Sequence, residues 1–126
     1  MSGISIKTVL VTVLALGIAA PALATTTDWI SGRDFSTIKR AVGNKLLTKI
    51  ECRDTGKKGG QVADYEYRVT YVNNPGKIRY RWAIGNQYGP YRARAKKDGY
   101  KQVSYSSFRR KTSGLKVHCA VWHKKP

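Results

Sequence analysis

The chain has 126 residues, with 24 lysines and arginines against 7 aspartates and glutamates, a formal net charge of +17. Its length fits one small domain, and the charge far exceeds what solubility requires. Two cysteines and two histidines lack the paired close spacing of zinc ligands, which argues against a metal centre. No cofactor is expected either.

Residues 1–24 read as an export leader. Lys7 supplies a positive start, Val9 to Ala20 is an uncharged apolar run, and Ala22-Leu23-Ala24 has the small-x-small pattern of a cleavage site. The run is shorter than the roughly 20 residues of a spanning helix. No other stretch is apolar enough to cross a bilayer, so no transmembrane anchor is expected after cleavage. The expected product is a periplasmic or secreted domain, residues 25–126. In an oxidising compartment Cys52 and Cys119 are expected to form its single disulfide.

The charge is unevenly placed. Thr25 to Glu66 holds eight basic and six acidic residues. From Tyr67 onward there are fifteen basic residues and one acid, Asp98. Like charge at that density repels itself, which points to an anionic partner rather than to a merely solvated surface.

In chain order, Asp34 or Ser36 is placed to cap a short helix in which Phe35, Ile38, Ala41 and Val42 recur at helical spacing, with Gly43-Asn44 as the stop. Leu46 to Arg53 reads as a strand. Asp54 to Gln61 is a glycine- and lysine-rich connection. Tyr65, Tyr67, Val69 and Tyr71 alternate with Glu66, Arg68 and Thr70, the pattern of a half-buried strand. Asn73-Asn74-Pro75-Gly76 reads as a turn, and Ile78, Tyr80 and Trp82 alternate with Lys77, Arg79 and Arg81 beyond it. These two strands are expected to form an antiparallel hairpin.

Gly85 to Pro90 breaks the pattern, and a second short helix is expected over Tyr91 to Lys97. Tyr100 to Tyr105 and Leu115 to His123 are the last strands. In the final one Leu115, Val117, Cys119 and Val121 take the inward phase. Lys116, His118 and Trp122 are left as a basic and aromatic surface.

The expected fold is α+β: a small, mostly antiparallel sheet with one or two short helices and one disulfide. Phe35, Ile38, Val42, Leu47, Ile50 and Cys52 match Tyr88, Tyr91, Ala95, Tyr100, Val103 and Tyr105 at a constant offset of 53. The strands at 65–71 and 115–121 match at an offset of 50. A degenerate helix–hairpin duplication is one reading of these matches, and chance alternation is the other.

Nucleophilic and phosphate-cradling motifs are absent from the sequence. For catalysis there remain His118 and Glu66, both on polar strand phases. With Arg68, Arg79 or Arg81 they are the groups a small secreted ribonuclease-like hydrolase would use. Binding has more residues behind it: Arg79, Arg81, Arg92, Arg94, Lys96, Lys97, Lys101, Arg109, Arg110 and Lys111. Arginine binds phosphate, sulfate and carboxylate through a planar fork, and lysine acts as a point charge. A mixture of both suits a charged surface better than one small molecule. The first expectation is therefore a non-enzymatic exported protein docking on lipopolysaccharide or phospholipid head groups, acidic polysaccharide or extracellular nucleic acid. Its rivals are an inhibitor or effector with an acidic protein target, and the hydrolase.

Overall fold

The computed structural model describes residues 23–56 and 65–126. Most of the expected leader, and residues 57–61 of the expected glycine–lysine connection, lie outside the described residues. The described elements in chain order are β1 (Thr25–Thr26), β2 (Ile30–Ser31), α1 (Ser36–Val42), β3 (Leu46–Asp54), β4 (Tyr65–Val72), β5 (Arg79–Gly85), α2 (Tyr88–Lys97), β6 (Lys101–Arg109) and β7 (Lys116–Lys124).

Helix α1 starts where Asp34 accepts hydrogen bonds from the Thr37 backbone N–H (3.3 Å) and from the hydroxyls of Ser36 and Thr37 (2.9 and 2.6 Å). These bonds satisfy a donor that the first turn would otherwise leave open. The helix stops at Gly43, whose φ of 53° suits glycine. Ile38 and Val42, four residues apart, are its buried face. Helix α2 begins at Tyr88, three residues earlier than expected. Pro90 sits in its first turn, where a missing N–H breaks no helical bond.

The strands form two antiparallel sheets rather than one. In the first, β3 pairs along one edge of β4, while β1 and then β2 pair along the other. In the second, β7 lies between β5 and β6. The hairpin expected between β4 and β5 does not form. Both edges of β4 are occupied, and β5 pairs with β7. Pro75 keeps its φ negative, whereas tight two-residue hairpin loops need positive φ at their centre. Residues 73–78 instead carry the chain from one sheet to the other. Asn74 locks them by donating to the Ile78 carbonyl and accepting from the Ile78 N–H, both at 2.9 Å.

The core lies between the sheets. Leu47, Ile50, Tyr67 and Val69 of the first face Val117, Cys119 and Val121 of the second, with Ile38 and Val42 of α1 beside them. The expected disulfide Cys52–Cys119 crosses this layer with its Cα atoms 6.5 Å apart. Leu115 is not inward: it precedes β7 and is 48% exposed. Trp122 is not a surface residue either. It is 3% exposed, packed with Ala83, Ala95 and Ala120. Helix α2 covers the second face of β7, which periodicity had left to solvent.

The two halves repeat one another in register. In the first, Leu47 pairs with Tyr71 and Lys49 with Thr70, so Thr48 is an extra residue. In the second, Gln102 pairs with Trp122 and Ser104 with Val121, so Val103 is the extra residue. Each half is thus a helix followed by a strand pair bulged at the same place. The structural offsets are 55 for the first strand and 51 for the second, not 53 and 50. The odd change in the second offset swaps faces. Tyr67 corresponds to His118 rather than to Val117, and the β7 face under α2 is the counterpart of the β4 face that packs on α1.

Candidate anion-binding face

Cross-strand pairing separates the charges of the two sheets. On the outer face of the first, opposite charges stand across from each other. Glu51 pairs with Arg68 and Arg53 with Glu66 in the strand register, and the ion pairs close at 2.7 and 2.6 Å. Lys49 reaches Glu51 at 2.8 Å. Lys49 and Arg68 together hold the Glu51 carboxyl below its usual 4.5. Trp29 lies over this ladder, with the guanidinium carbons of Arg53 and Arg68 at 3.8 and 4.6 Å from its ring centre. This face neutralises itself.

The second sheet does the opposite. Arg79 stands directly across from Lys124, and Arg109 directly across from Lys116. Like charges in that position are destabilising. Helix α2 adds Arg92, Arg94, Lys96 and Lys97, all exposed, and has no acid of its own. Tyr88 and Ala95 anchor it to Ala83, Ala120 and Trp122. Its last-turn cations suit the negative end of the helix dipole. In this half Arg81 pairs with Asp98 at 2.7 Å and lies 4.3 Å from the Tyr100 ring centre. The Lys124 ammonium donates to the Asp98 carbonyl at 2.8 Å.

Of the ten cations singled out from the sequence, Arg79, Arg81, Arg92, Arg94, Lys96, Lys97 and Lys101 lie on α2 and on the strand ends beside it. Arg109 shares a strand with Lys101 but sits at its far end, about 26 Å away at strand rise. Arg110 and Lys111 lean on the first half. Arg110 lies over Tyr65 at 5.6 Å, and the Lys111 N–H donates to Asp54 at 2.8 Å. The cations do not form one continuous field.

Glu66 and His118 are not brought together. Each points away from the inter-sheet core, on opposite outer faces of the stack. Glu66 is held by Arg53. His118 lies among rings: Tyr105 Oη is 2.7 Å from its Nδ1, and Tyr88 stacks on it at 4.8 Å between centroids. Burial, then Lys116, pushes its pKa below 6.5. The geometry that motivated a hydrolase is absent. Among the described residues no cluster of metal-ligating side chains occurs, and no helix is long and apolar enough to cross a membrane.

Sequence reasoning missed that Asp98 clamps Arg81 across the end of α2, although the spacing of Tyr91, Ala95 and Asp98 puts them on one helical face. The Arg94 guanidinium lies 5.2 Å from the Tyr91 ring centre. Comparison with protein family models, with curated proteins and with solved structures finds no match to this chain.

Proposed function

We propose that this is an exported, non-enzymatic protein that docks the α2 side of its second sheet on an anionic surface. The observation that carries the reading is the contrast in cross-strand charge. The first sheet sets carboxylates against guanidinium groups, whereas the second sets Arg79 against Lys124 and Arg109 against Lys116. Repulsion of that kind, partly offset where Lys124 and Arg109 donate to the Asp98 and Gly114 carbonyls, is further relieved by an anionic ligand. The leader pattern in residues 1–24 and the disulfide are compatible with a site of action outside the cytoplasm.

The test is retention of the leader-free, oxidised protein on heparin or phosphocellulose across a salt gradient. Binding is expected to weaken steeply with salt, because counterion release drives it. Reversing Arg92 and Arg94 to glutamate is expected to advance elution strongly. Reversing Lys39 and Arg40 of α1, both exposed, serves as the charge-matched control and is expected to shift it far less. Equal shifts for the two pairs would remove the assignment to α2.

A further inference from the structure

Between β5 and α2 runs a trough that the charge argument does not use. Its larger hollow, of about 610 Å³, is lined by Tyr80, Arg81, Trp82, Tyr91, Arg94 and Asp98 among others. Past Tyr91, which lines both, it continues into a cleft of about 190 Å³ that reaches Asn86, Gln87 and His118. Helix α2 flanks it for about 15 Å at helical rise. We propose that this trough binds a saccharide chain, and that the anionic surface recognised by this protein is a polysaccharide bearing spaced acid groups. The inference rests on the polyanion reading above and names its ligand class.

The chemistry of the walls favours sugar. A pyranose ring offers a C–H face to an aromatic side chain and a ring of hydroxyls to polar groups. Tyr91 is 47% exposed at the junction of the two hollows and supplies the apolar contact. Asp98 binds Arg81 through Oδ2, which leaves Oδ1 to accept from a hydroxyl. The amides of Asn86 and Gln87, exposed at the other end, both donate and accept.

The charge within the trough is sparse. Asp98 cancels Arg81, so Arg94 is the uncompensated fork there, held against Tyr91. A nucleic acid strand carries a phosphate at every nucleotide, more charge than the one uncompensated fork of the trough matches. Base stacking also lacks a platform. Trp122 is 3% exposed, and Tyr91 alone offers one ring where a nucleic acid strand stacks successive bases on several. A chain with an acid group on some of its sugars fits one planar fork, while Lys96 and Lys97 outside the trough attract it at longer range.

The experiment measures binding of the leader-free, oxidised protein to immobilised hyaluronan and to partly methyl-esterified pectin, whose carboxylates are spaced along the chain, with oligothymidylate as the competing class, at about 0.15 M salt. Tyr91 is exposed, so Tyr91→Ala should leave the fold intact, which a melting curve checks. For at least one acidic saccharide, Tyr91→Ala is expected to lower affinity about tenfold, with Tyr91→Phe restoring it. Lys96→Gln with Lys97→Gln is expected to change chiefly the salt dependence. Equal binding of every saccharide by the wild type and Tyr91→Ala would overturn the trough. So would a tenfold loss on oligothymidylate alone, which would make the ligand a nucleic acid. Retention on phosphocellulose in low salt separates the two levels. If it persists while Tyr91 has no effect, only the trough falls; if it is absent in the wild type, the docking reading falls with it.

Discussion

Cys119 and His118 are neighbours in β7 and look in opposite directions. Cys119 is fully buried between the sheets and bonded to Cys52. His118 lies on the other face, against Tyr88 and Tyr105 beside α2. One strand therefore carries both the crosslink between the halves and the floor beneath the basic helix. A change on either face should be felt as a change in stability.

The disulfide closes a loop with a sequence separation of 67. In the chain-entropy model such a closure contributes about 4 kcal/mol by restricting the unfolded chain. Replacing Cys52 and Cys119 together by alanine is expected to lower unfolding stability in urea by about that amount. A loss under about 1 kcal/mol would mean that the packed sheets hold the halves together without it.

His118 should make stability depend on pH. Its folded pKa lies below 6.5, chiefly through burial and secondarily through Lys116. Above 6.5 the ring is neutral in both states and its contribution is complete. As pH falls below 6.5 the unfolded ring takes a proton that the folded ring refuses, so stability drops until the lower folded pKa is passed. His118→Gln is expected to flatten the slope of urea stability just below pH 6.5. A slope unchanged from wild type would assign it to other groups.

The charge ladders predict opposite signs for two similar substitutions. Arg68→Glu sets a carboxylate against Glu51 and should destabilise the first sheet. Arg109→Glu sets one against Lys116 and should stabilise the second, each by about half a kcal/mol. Thermal melts in low and high salt check this, since salt should shrink both effects.

Tyr67 ties the first sheet to the start of α1 by donating its hydroxyl to the Asp34 carbonyl. Burial, then the charge of Asp34 and the neighbouring Tyr65, pushes its phenol up to about 12. Tyr67→Phe is expected to cost about 1 kcal/mol, the value of one buried hydrogen bond. The raised pKa sets the alkaline limit of that contribution: it is complete below the usual 10.0 and lost as pH rises through about 12. A Tyr67→Phe protein as stable as the wild type would mean that water replaces the bond.

Much of the local structure was legible. The alternation through Tyr65–Tyr71 and Lys116–Trp122 sorts residues onto two faces, because successive side chains of a strand point opposite ways whatever it pairs with. The turn chemistry at Asn73–Gly76 located a break correctly, yet it could not say that β5 leaves for another sheet. That outcome depends on β1 and β2 occupying the second edge of β4. Trp122 was misplaced for a similar reason: nothing within β7 announces that α2 will cover it.

By itself the sequence determined the charge asymmetry, the α+β composition and, from a pair of cysteines, the one intramolecular crosslink available. These are local or compositional properties, and no partner is needed to define them. The tertiary structure alone decided that Glu51 meets Arg68 while Arg109 meets Lys116, that Glu66 and His118 turn away from each other, and that β5 and α2 leave a trough between them. Register and stacking bring together residues far apart in the chain, and a shift of one position would reverse every face.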